Sequence, residues 1–218
     1  MISHFTIFGE RCSGTNFLES AILENFKIDV TYKFGWKHWF GSNNFDRKDI
    51  DSDNVLFLGI IREPISWIDS FYKKKHHIPY ENNNNIHAFL NNEWYSTYEN
   101  KELIEDRNYK TKNRYKNIFE LRKMKNDYLT QIMKTKVKHY LLIRYEDLSN
   151  FYETILSFIE QKFNLERKNK KFKKIKSYKG YNQFEYIKKK IKLNKKIIKY
   201  IKNNLDKKQE NELGYLQS

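Results

Sequence analysis

The stretch HFTIFGERCSGTNFLESAILENF, residues 4–26, decides the fold of this chain. Residues 3–8 alternate and are rich in β-forming side chains, which predicts a strand. Residues 9–14 interrupt the pattern with two glycines, and residues 15–26 carry apolar side chains at helical spacing. A strand, a tight loop and a helix in this order indicate the start of an α/β protein.

Strands and helices continue to alternate beyond this unit. A second strand is predicted over 28–34 and a third over 54–61, whose apolar run NVLFLGII is typical of a parallel strand buried on both faces. Pro64 suits the first turn of a helix that reaches about residue 75. The remaining elements are a helix over 113–134, a strand over 138–144, a helix over 151–163 and a long helix over 183–205. We expect an α/β three-layer sandwich with a mostly parallel central sheet.

The length of 218 residues favours a single domain over 1–218. The polar text at about 76–112, which contains four consecutive asparagines, predicts a surface insertion with a short helix over 86–95. A basic helical segment covers about 167–205. In the predicted C-terminal helix, the side chains expected to face inward are Ile187, Ile191, Ile198 and Ile201.

Charge is distributed unevenly along the chain. The sequence has 42 Lys+Arg against 27 Asp+Glu, a net charge of +15. Residues 1–109 hold 12 basic and 16 acidic side chains, whereas 110–218 hold 30 and 11. Two interpretations remain open for the lysine excess: a solvated surface, or a surface for an anionic ligand.

Several classes of protein are disfavoured. The single cysteine, Cys12, excludes an intrachain disulfide and a cysteine-based zinc framework. No apolar run approaches 18 residues, and the N-terminus lacks the features of a signal peptide. We therefore expect a soluble cytoplasmic protein of microbial or viral origin, without a membrane span.

The loop GERCSGTN, residues 9–16, has the glycine spacing of a phosphate-binding loop. Thr15 and Asn16 stand where a nucleoside triphosphatase has Lys and Ser/Thr, so the groups that contact β/γ-phosphates and Mg²⁺ are missing. Backbone N–H groups at a helix N-terminus, with Ser13 and Arg11 nearby, still suit an anion that needs no metal. The alternative is an ordinary turn with Thr15 as helix cap.

A second anion motif follows the third strand, in FLGIIREPISWIDSFYKKK. Arg62 comes just past the carboxyl end of this strand, where ligands bind in open α/β sheets. If the helix starts at Pro64, Ser70 and Arg62 share one crevice and fit a second phosphate. The alternative is an arginine that ends a buried strand and a serine exposed on a helix.

These motifs together resemble sulfotransferases that use 3′-phosphoadenosine 5′-phosphosulfate (PAPS). GERCSGTNFLES is similar to their 5′-phosphosulfate loop, and the Arg62 to Ser70 spacing of eight is that of their 3′-phosphate motif. LIRYEDL at 142–148 and ENELGY at 210–215 resemble later segments of the family, and the order of the matches is the same. The resemblance implies PAPS as co-substrate, adenosine 3′,5′-bisphosphate (PAP) as product and no metal.

The resemblance also implies roles for individual residues. Where the family loop has a basic residue this chain has Cys12, so Arg11 is expected to replace it. A late element similar to KSYKGYNQF would fold over the 3′-phosphate. The expected PAPS-binding residues are Arg11, Cys12, Ser13, Gly14, Thr15, Asn16, Arg62, Ser70, Tyr178, Lys179 and Gly180.

The catalytic residues implied are His38 as general base, with Lys37 and Arg11 stabilising developing charge. His38 lies in YKFGWKHWF, after the second predicted strand, where relatives acting on small acceptors have their histidine. The acceptor is expected to present a hydroxyl, or an amine, on a glycan or small molecule. Aromatic side chains expected to contact it are Trp36, Trp39, Trp94 and Tyr95.

Two other functions remain open at this stage. A nucleotide or small-molecule kinase would share the parallel sheet and the phosphate loop, but would need Lys and Ser/Thr at positions 15 and 16. A basic nucleic-acid-binding module would use the C-terminal half alone, with an affinity that falls steeply with salt.

Overall fold

A computed structural model describes residues 1–40, 52–75, 77–176 and 190–216 of the chain. Its centre is a sheet of four parallel strands in the order β2-β1-β3-β6. The bounds of these strands are β1 His4–Phe8, β2 Asp29–Val30, β3 Val55–Ile61 and β6 His139–Arg144. The antiparallel pair β4 (Thr97–Tyr98) and β5 (Lys101–Glu102) forms a separate hairpin.

Helices fill the connections between strands. They are α1 Thr15–Asn25, α2 Pro64–Lys73, α3 Ile86–Asn91, α4 Ile118–Asp127, α5 Met133–Lys136, α6 Tyr145–Asn150, α7 Tyr152–Phe163, α8 Lys195–Asn204 and α9 Lys207–Glu212. Short 3₁₀ turns occupy Tyr80–Asn83 and Ile104–Asp106, and a π-helical turn over Tyr128–Ile132 joins α4 to α5.

Both faces of the sheet are buried, because alternate residues of β3 point to opposite sides. Leu56, Leu58 and Ile60 pack with α1 and α7, whereas Phe57 and Ile61 pack with the π-helical turn and α5. A third apolar cluster joins α2, α3, α4 and α8. The predicted α/β sandwich with a mostly parallel central sheet is therefore confirmed.

The C-terminal helix starts later than the predicted 183–205. Residues 190–194 are not helical, and α8 begins at Lys195 because the side chain of Asn194 accepts a hydrogen bond from the N–H of Ile197. Ile191, expected to face inward, is 39% exposed, whereas Ile201 is fully buried. Residues 183–189, with Ile187, lie outside the described part of the chain.

The segment predicted as a surface insertion contributes to the core. Phe89, Leu90 and Trp94 are all fully buried and pack against α2 and α4. Tyr115, which hydrogen-bonds Trp94 through the backbone, is also buried. Although residues 77–112 are polar in overall composition, a few large apolar side chains attach this segment to the core. In the described ranges, no helix has the length and apolar composition needed to cross a bilayer.

Candidate functional site

The loop over 9–14 leaves the carboxyl end of β1 and leads directly into α1. The N–H of Gly9 donates to the carbonyl of Lys37 at 3.0 Å, and the N–H of Ser13 donates to the carbonyl of Glu10 at 3.1 Å. Gly14, with φ of +99°, precedes α1, and no side chain caps the helix in the described structure. A helix N-terminus without a side-chain cap suits an anionic ligand.

Tyr145 supports this loop from the end of β6. A Cβ atom on Gly14 would lie 2.4 Å from Cδ2 of Tyr145, so the ring sits directly against the loop backbone. The guanidinium of Arg62 lies over the same ring, 4.6 Å from its centroid. The ring of Tyr145 thus packs against both the loop and Arg62.

The two predicted anion motifs meet at Cys12. Arg62, which follows β3, donates from Nη1 to the carbonyl of Cys12 at 2.9 Å. The thiol of Cys12 lies 3.8 Å from the carbonyl of Ser70 on α2. Nε of Arg62 is buried and has no hydrogen-bond partner among the described residues. The structure therefore brings Arg62 and the backbone carbonyl of Ser70 to the loop, whereas the phosphate contact expected of the Ser70 hydroxyl stays a prediction.

Lys37 extends to the start of α1. Its Nζ donates to Oδ1 of Asn16 at 2.6 Å and to Oε2 of Glu19 at 3.2 Å, and the residue is 8% exposed. A cation is thus held beside the uncapped helix N-terminus, although it comes from the segment after β2 rather than from the loop.

His38 is oriented by the loop itself. Its Nδ1 lies 2.6 Å from the carbonyl of Gly9, and since a carbonyl can only accept, Nδ1 carries the proton. The other ring nitrogen, Nε2, is then the acceptor. Burial lowers the pKa of His38 to about 3, despite the opposing effects of the Glu10 carboxylate and the Gly9 carbonyl. The ring is therefore neutral at pH 7.

The position of Arg11 corrects the expectation that it faces the anion. Only 2% of the residue is exposed, and its guanidinium donates to the carboxylates of Glu10 (2.7 Å) and Asp106 (3.1 Å) and to the carbonyl of His77 (3.0 Å). Lys125 pairs with the same two carboxylates. We call this closed arrangement of Glu10, Arg11, Asp106 and Lys125 the charge ring. Because its guanidinium is buried and donates from Nε, Nη1 and Nη2 to oxygen atoms of the protein, we interpret Arg11 as a structural cation.

The two carboxylates of the charge ring respond differently to burial. For Glu10, burial alone would raise the pKa, but Arg11 and Lys125 outweigh it and lower the pKa to about 2. For Asp106, burial outweighs the same two cations, and its pKa is raised. The ring contains two carboxylates and two cations, so its formal charges cancel when all four groups are ionised.

Cys12 does not have the features of a reactive thiol. Burial raises its pKa, although the cations Lys74, Arg62 and Arg11 act in the opposite direction. A raised pKa leaves the thiol protonated near neutral pH, so we interpret Cys12 as a small packing residue of the loop.

The remaining predicted residues divide into four groups. Ser13 and Thr15 lie buried in the loop and the first turn of α1. Tyr178, Lys179 and Gly180 lie outside the described residues. Trp94 is fully buried, so it is not placed to contact an acceptor as expected. Tyr95 packs its ring against Arg114, whose Cζ lies 3.8 Å from the ring centroid, and its contact with an acceptor stays a prediction. Trp36, by contrast, is 45% exposed, and its ring centroid lies 6.2 Å from that of His38 and 6.1 Å from that of Trp39.

The sequence reasoning missed Glu10, Asp106, Lys125 and Tyr145. Glu10 lies in the GERCSGTN loop and Tyr145 lies in LIRYEDL, but neither motif predicted a role for them. Lys125 is one of 34 lysines and Asp106 lies in a polar segment, so no local pattern distinguished them. Among the described residues, no group of His, Cys, Asp and Glu side chains is arranged to hold a metal.

The fold and the site define an α/β protein whose phosphate-loop-like turn meets a second basic motif at the carboxyl edge of a parallel sheet. Comparisons with protein-family models, with curated proteins and with solved structures find no match for this chain.

Proposed function

We propose that this chain is a sulfotransferase that moves a sulfuryl group from PAPS to a hydroxyl of a glycan or a small molecule. The observation that carries the proposal is the meeting of two anion motifs. Arg62 donates to the carbonyl of Cys12, inside the loop, while its Nε has no partner among the described residues. The uncapped start of α1 adjoins the same loop. PAP and PAPS carry anionic groups at both the 3′ and the 5′ position, which two adjacent motifs suit.

The residues of the site suit the steps of sulfuryl transfer. The acceptor oxygen forms a bond to sulfur as the bond from sulfur to the 5′-phosphate oxygen breaks, and PAP leaves. His38 takes the acceptor proton on Nε2, since Nδ1 is occupied by Gly9. Lys37, beside the α1 N-terminus, stabilises the charge that develops on the departing phosphate.

The low pKa of His38 fits a base that acts only in the loaded site. With a pKa of about 3 the free ring is neutral but a weak base. A bound polyanion nearby favours the protonated ring, because an opposite charge stabilises the charged form. The proposal therefore assigns part of the activation of His38 to the co-substrate.

The test compares thermal shifts with PAP, with ATP plus Mg²⁺ and with AMP. PAP at 100 times its Kd stabilises the folded chain by about 2.7 kcal/mol, or roughly 5–10 °C in Tm for this size. We expect this shift to be selective for PAP and lost in Arg62→Ala. His38→Ala is the matched control: it should keep the shift and reduce turnover at least about tenfold. A shift with ATP and Mg²⁺ alone would indicate a kinase instead, and no PAP shift would refute the proposal.

A further inference from the structure

The ammonium group of Lys125 contacts three oxygen atoms. It donates to the backbone carbonyl of His38 at 2.8 Å and to Oδ1 of Asp106 at 2.5 Å, and it forms an ion pair with the carboxylate of Glu10. An ammonium has three N–H donors and no acceptor, so it can hold several oxygen atoms around one point. Lys125 is 1% exposed, so water does not replace these contacts.

The three acceptors belong to three different parts of the site. Glu10 is in the loop, His38 is in the segment after β2, and Asp106 ends the 3₁₀ turn of the 77–112 segment. Lys125 itself comes from α4, whose side chain Leu121 is fully buried in the core. One buried cation therefore holds together three segments that lie far apart in the sequence.

The contact with His38 is to its backbone, which is the part that determines where the ring can point. The carbonyl of His38 is held by Lys125, while Nδ1 of the ring is held by Gly9. Gly9 adjoins Glu10, which Lys125 also contacts. The ammonium group of Lys125 thus contacts residues on both sides of this hydrogen bond: the backbone of His38, which donates it, and the carboxylate of Glu10, the residue after the acceptor Gly9.

We propose that Lys125 is the positioning residue of the site, holding His38 and the loop so that Nδ1 donates to Gly9 and Nε2 faces the reacting group. Its catalytic meaning rests on the proposed sulfotransferase function. The effect of Lys125 on the His38 ring does not depend on that function, because the protonation pattern of the ring can be observed without substrate.

The chain supplies a matched control on the same helix. Arg122 of α4 makes a second buried ion pair, with Nε 2.5 Å from Oε1 and Nη2 2.8 Å from Oε2 of Glu210. The side chains of this pair are 4% and 1% exposed, and the pair joins α4 to α9. Within the described ranges, neither side chain hydrogen-bonds the loop or His38. Arg122 lies over the ring of Trp67, whose Nε1 donates to the carbonyl of Arg11 in the loop. Its loss therefore reports the cost of removing a buried pair that makes no direct hydrogen bond to the loop or to His38.

The experiment compares two double variants of the full chain. Lys125→Met with Asp106→Asn removes one charge of each sign from the charge ring, and Arg122→Met with Glu210→Gln does the same for the control pair. Long-range ¹H–¹⁵N NMR of the histidine rings shows which nitrogen is protonated, and His38→Gln assigns the His38 signals. We expect the first variant to lose the single Nδ1–H form and to lower kcat at least tenfold, with PAP affinity within threefold of wild type. The control should keep the Nδ1–H form and kcat.

Lys125→Arg keeps the proposal testable if the first double variant does not fold. It preserves the charge, but a planar guanidinium does not reproduce the three-way contact of an ammonium, so the same loss of Nδ1–H order and of kcat is expected. The proposal is overturned if a folded Lys125 variant keeps both the Nδ1–H form and a kcat within twofold of wild type. If wild type transfers no sulfuryl group, the proposed function fails, and the NMR result alone decides whether Lys125 positions His38.

Discussion

Gly14 satisfies two separate requirements at a single residue. Its φ of +99° lies in the region that side-chain-bearing residues rarely adopt. The ring of Tyr145 also occupies the space where a Cβ atom would be, 2.4 Å from that position. The backbone conformation turns the chain into α1, and the close approach allows Tyr145 to support the loop.

Gly14→Ala should therefore be strongly destabilising. Strain at positive φ and overpacking against Tyr145 together should lower the free energy of unfolding by about 2–4 kcal/mol. Gly214→Ala is the comparison, because Gly214 also has positive φ, at +73°, but its added Cβ would meet only the end of the flexible Arg144 side chain. That variant should cost about 1 kcal/mol. Urea denaturation measures both, and equal losses would contradict the role of Tyr145.

At the residue scale, the sequence predicted which residues lie near the loop better than it predicted where their side chains point. The glycine spacing placed the loop correctly, and the spacing of Arg62 and Ser70 placed both near it. The direction of Arg11 was not predictable, because its partner Asp106 lies 95 residues away and Cys12, with φ of +63°, changes the course of the backbone. A spacing pattern contains no information about such distant partners.

At the scale of elements, helix boundaries were decided by capping side chains rather than by apolar periodicity. Asn117 caps α4 by accepting from the N–H groups of Phe119 and Glu120, so the helix starts five residues after the predicted 113. Asn194 caps α8 in the same manner. The lysine-rich sequence with spaced isoleucines continues the helical pattern upstream of Asn194. Lys192 is nevertheless held outside the helix, because its backbone N–H donates to Oδ1 of Asp69 on α2. That contact is tertiary and has no local signature.

Asn194→Ala tests the cap of α8. Losing the side-chain acceptor leaves the N–H of Ile197 unpaired and should lower the free energy of unfolding by about 1 kcal/mol. Asn203→Ala, at an exposed position near the other end of the same helix, should change it by less than about 0.5 kcal/mol. Thermal unfolding at pH 7 compares the two. An effect of Asn203→Ala as large as that of Asn194→Ala would show that the cap contributes nothing specific.

At the scale of the whole molecule, the buried charges make stability depend on pH. The folded pKa of His38, about 3, is below its unfolded value of 6.5, so the unfolded chain binds more protons as pH falls below 6.5. This contribution to stability is present at pH 7.5 and is lost progressively toward pH 3. The lowered pKa of Glu10 has the same sign but acts only below about pH 4.5, and the raised pKa of Asp106 has the opposite sign.

The contribution of His38 can be isolated between pH 7.5 and 5.5. Over this interval, wild type should lose about 1 kcal/mol more than His38→Gln, which cannot titrate there but retains an N–H donor for Gly9. The measurement is urea unfolding of both proteins at the two pH values. An identical pH dependence in the two proteins would mean that His38 titrates normally in the folded state.

In the described part of the chain, the excess of lysines contributes little to the site. The cations with specific contacts at the site are Arg62, Lys37 and Lys125, whereas the lysines of α8 lie mostly on its exposed face. Net charge therefore indicated little about the site. The parallel character of the sheet and the position of the loop followed from local patterns, but the order of the strands and the charge ring depend on contacts that only the complete fold brings together.

The charge ring also constrains the order in which the molecule can be completed. Glu10 and Arg11 leave the ribosome early, yet Asp106 follows Arg11 by 95 residues and Lys125 follows His38 by 87. Until α4 is synthesised, Glu10 and Arg11 of the nascent β1–α1 unit can pair with each other but not with Lys125. Because contacts of such separation form after local ones, the loop and His38 should reach their final arrangement late in folding.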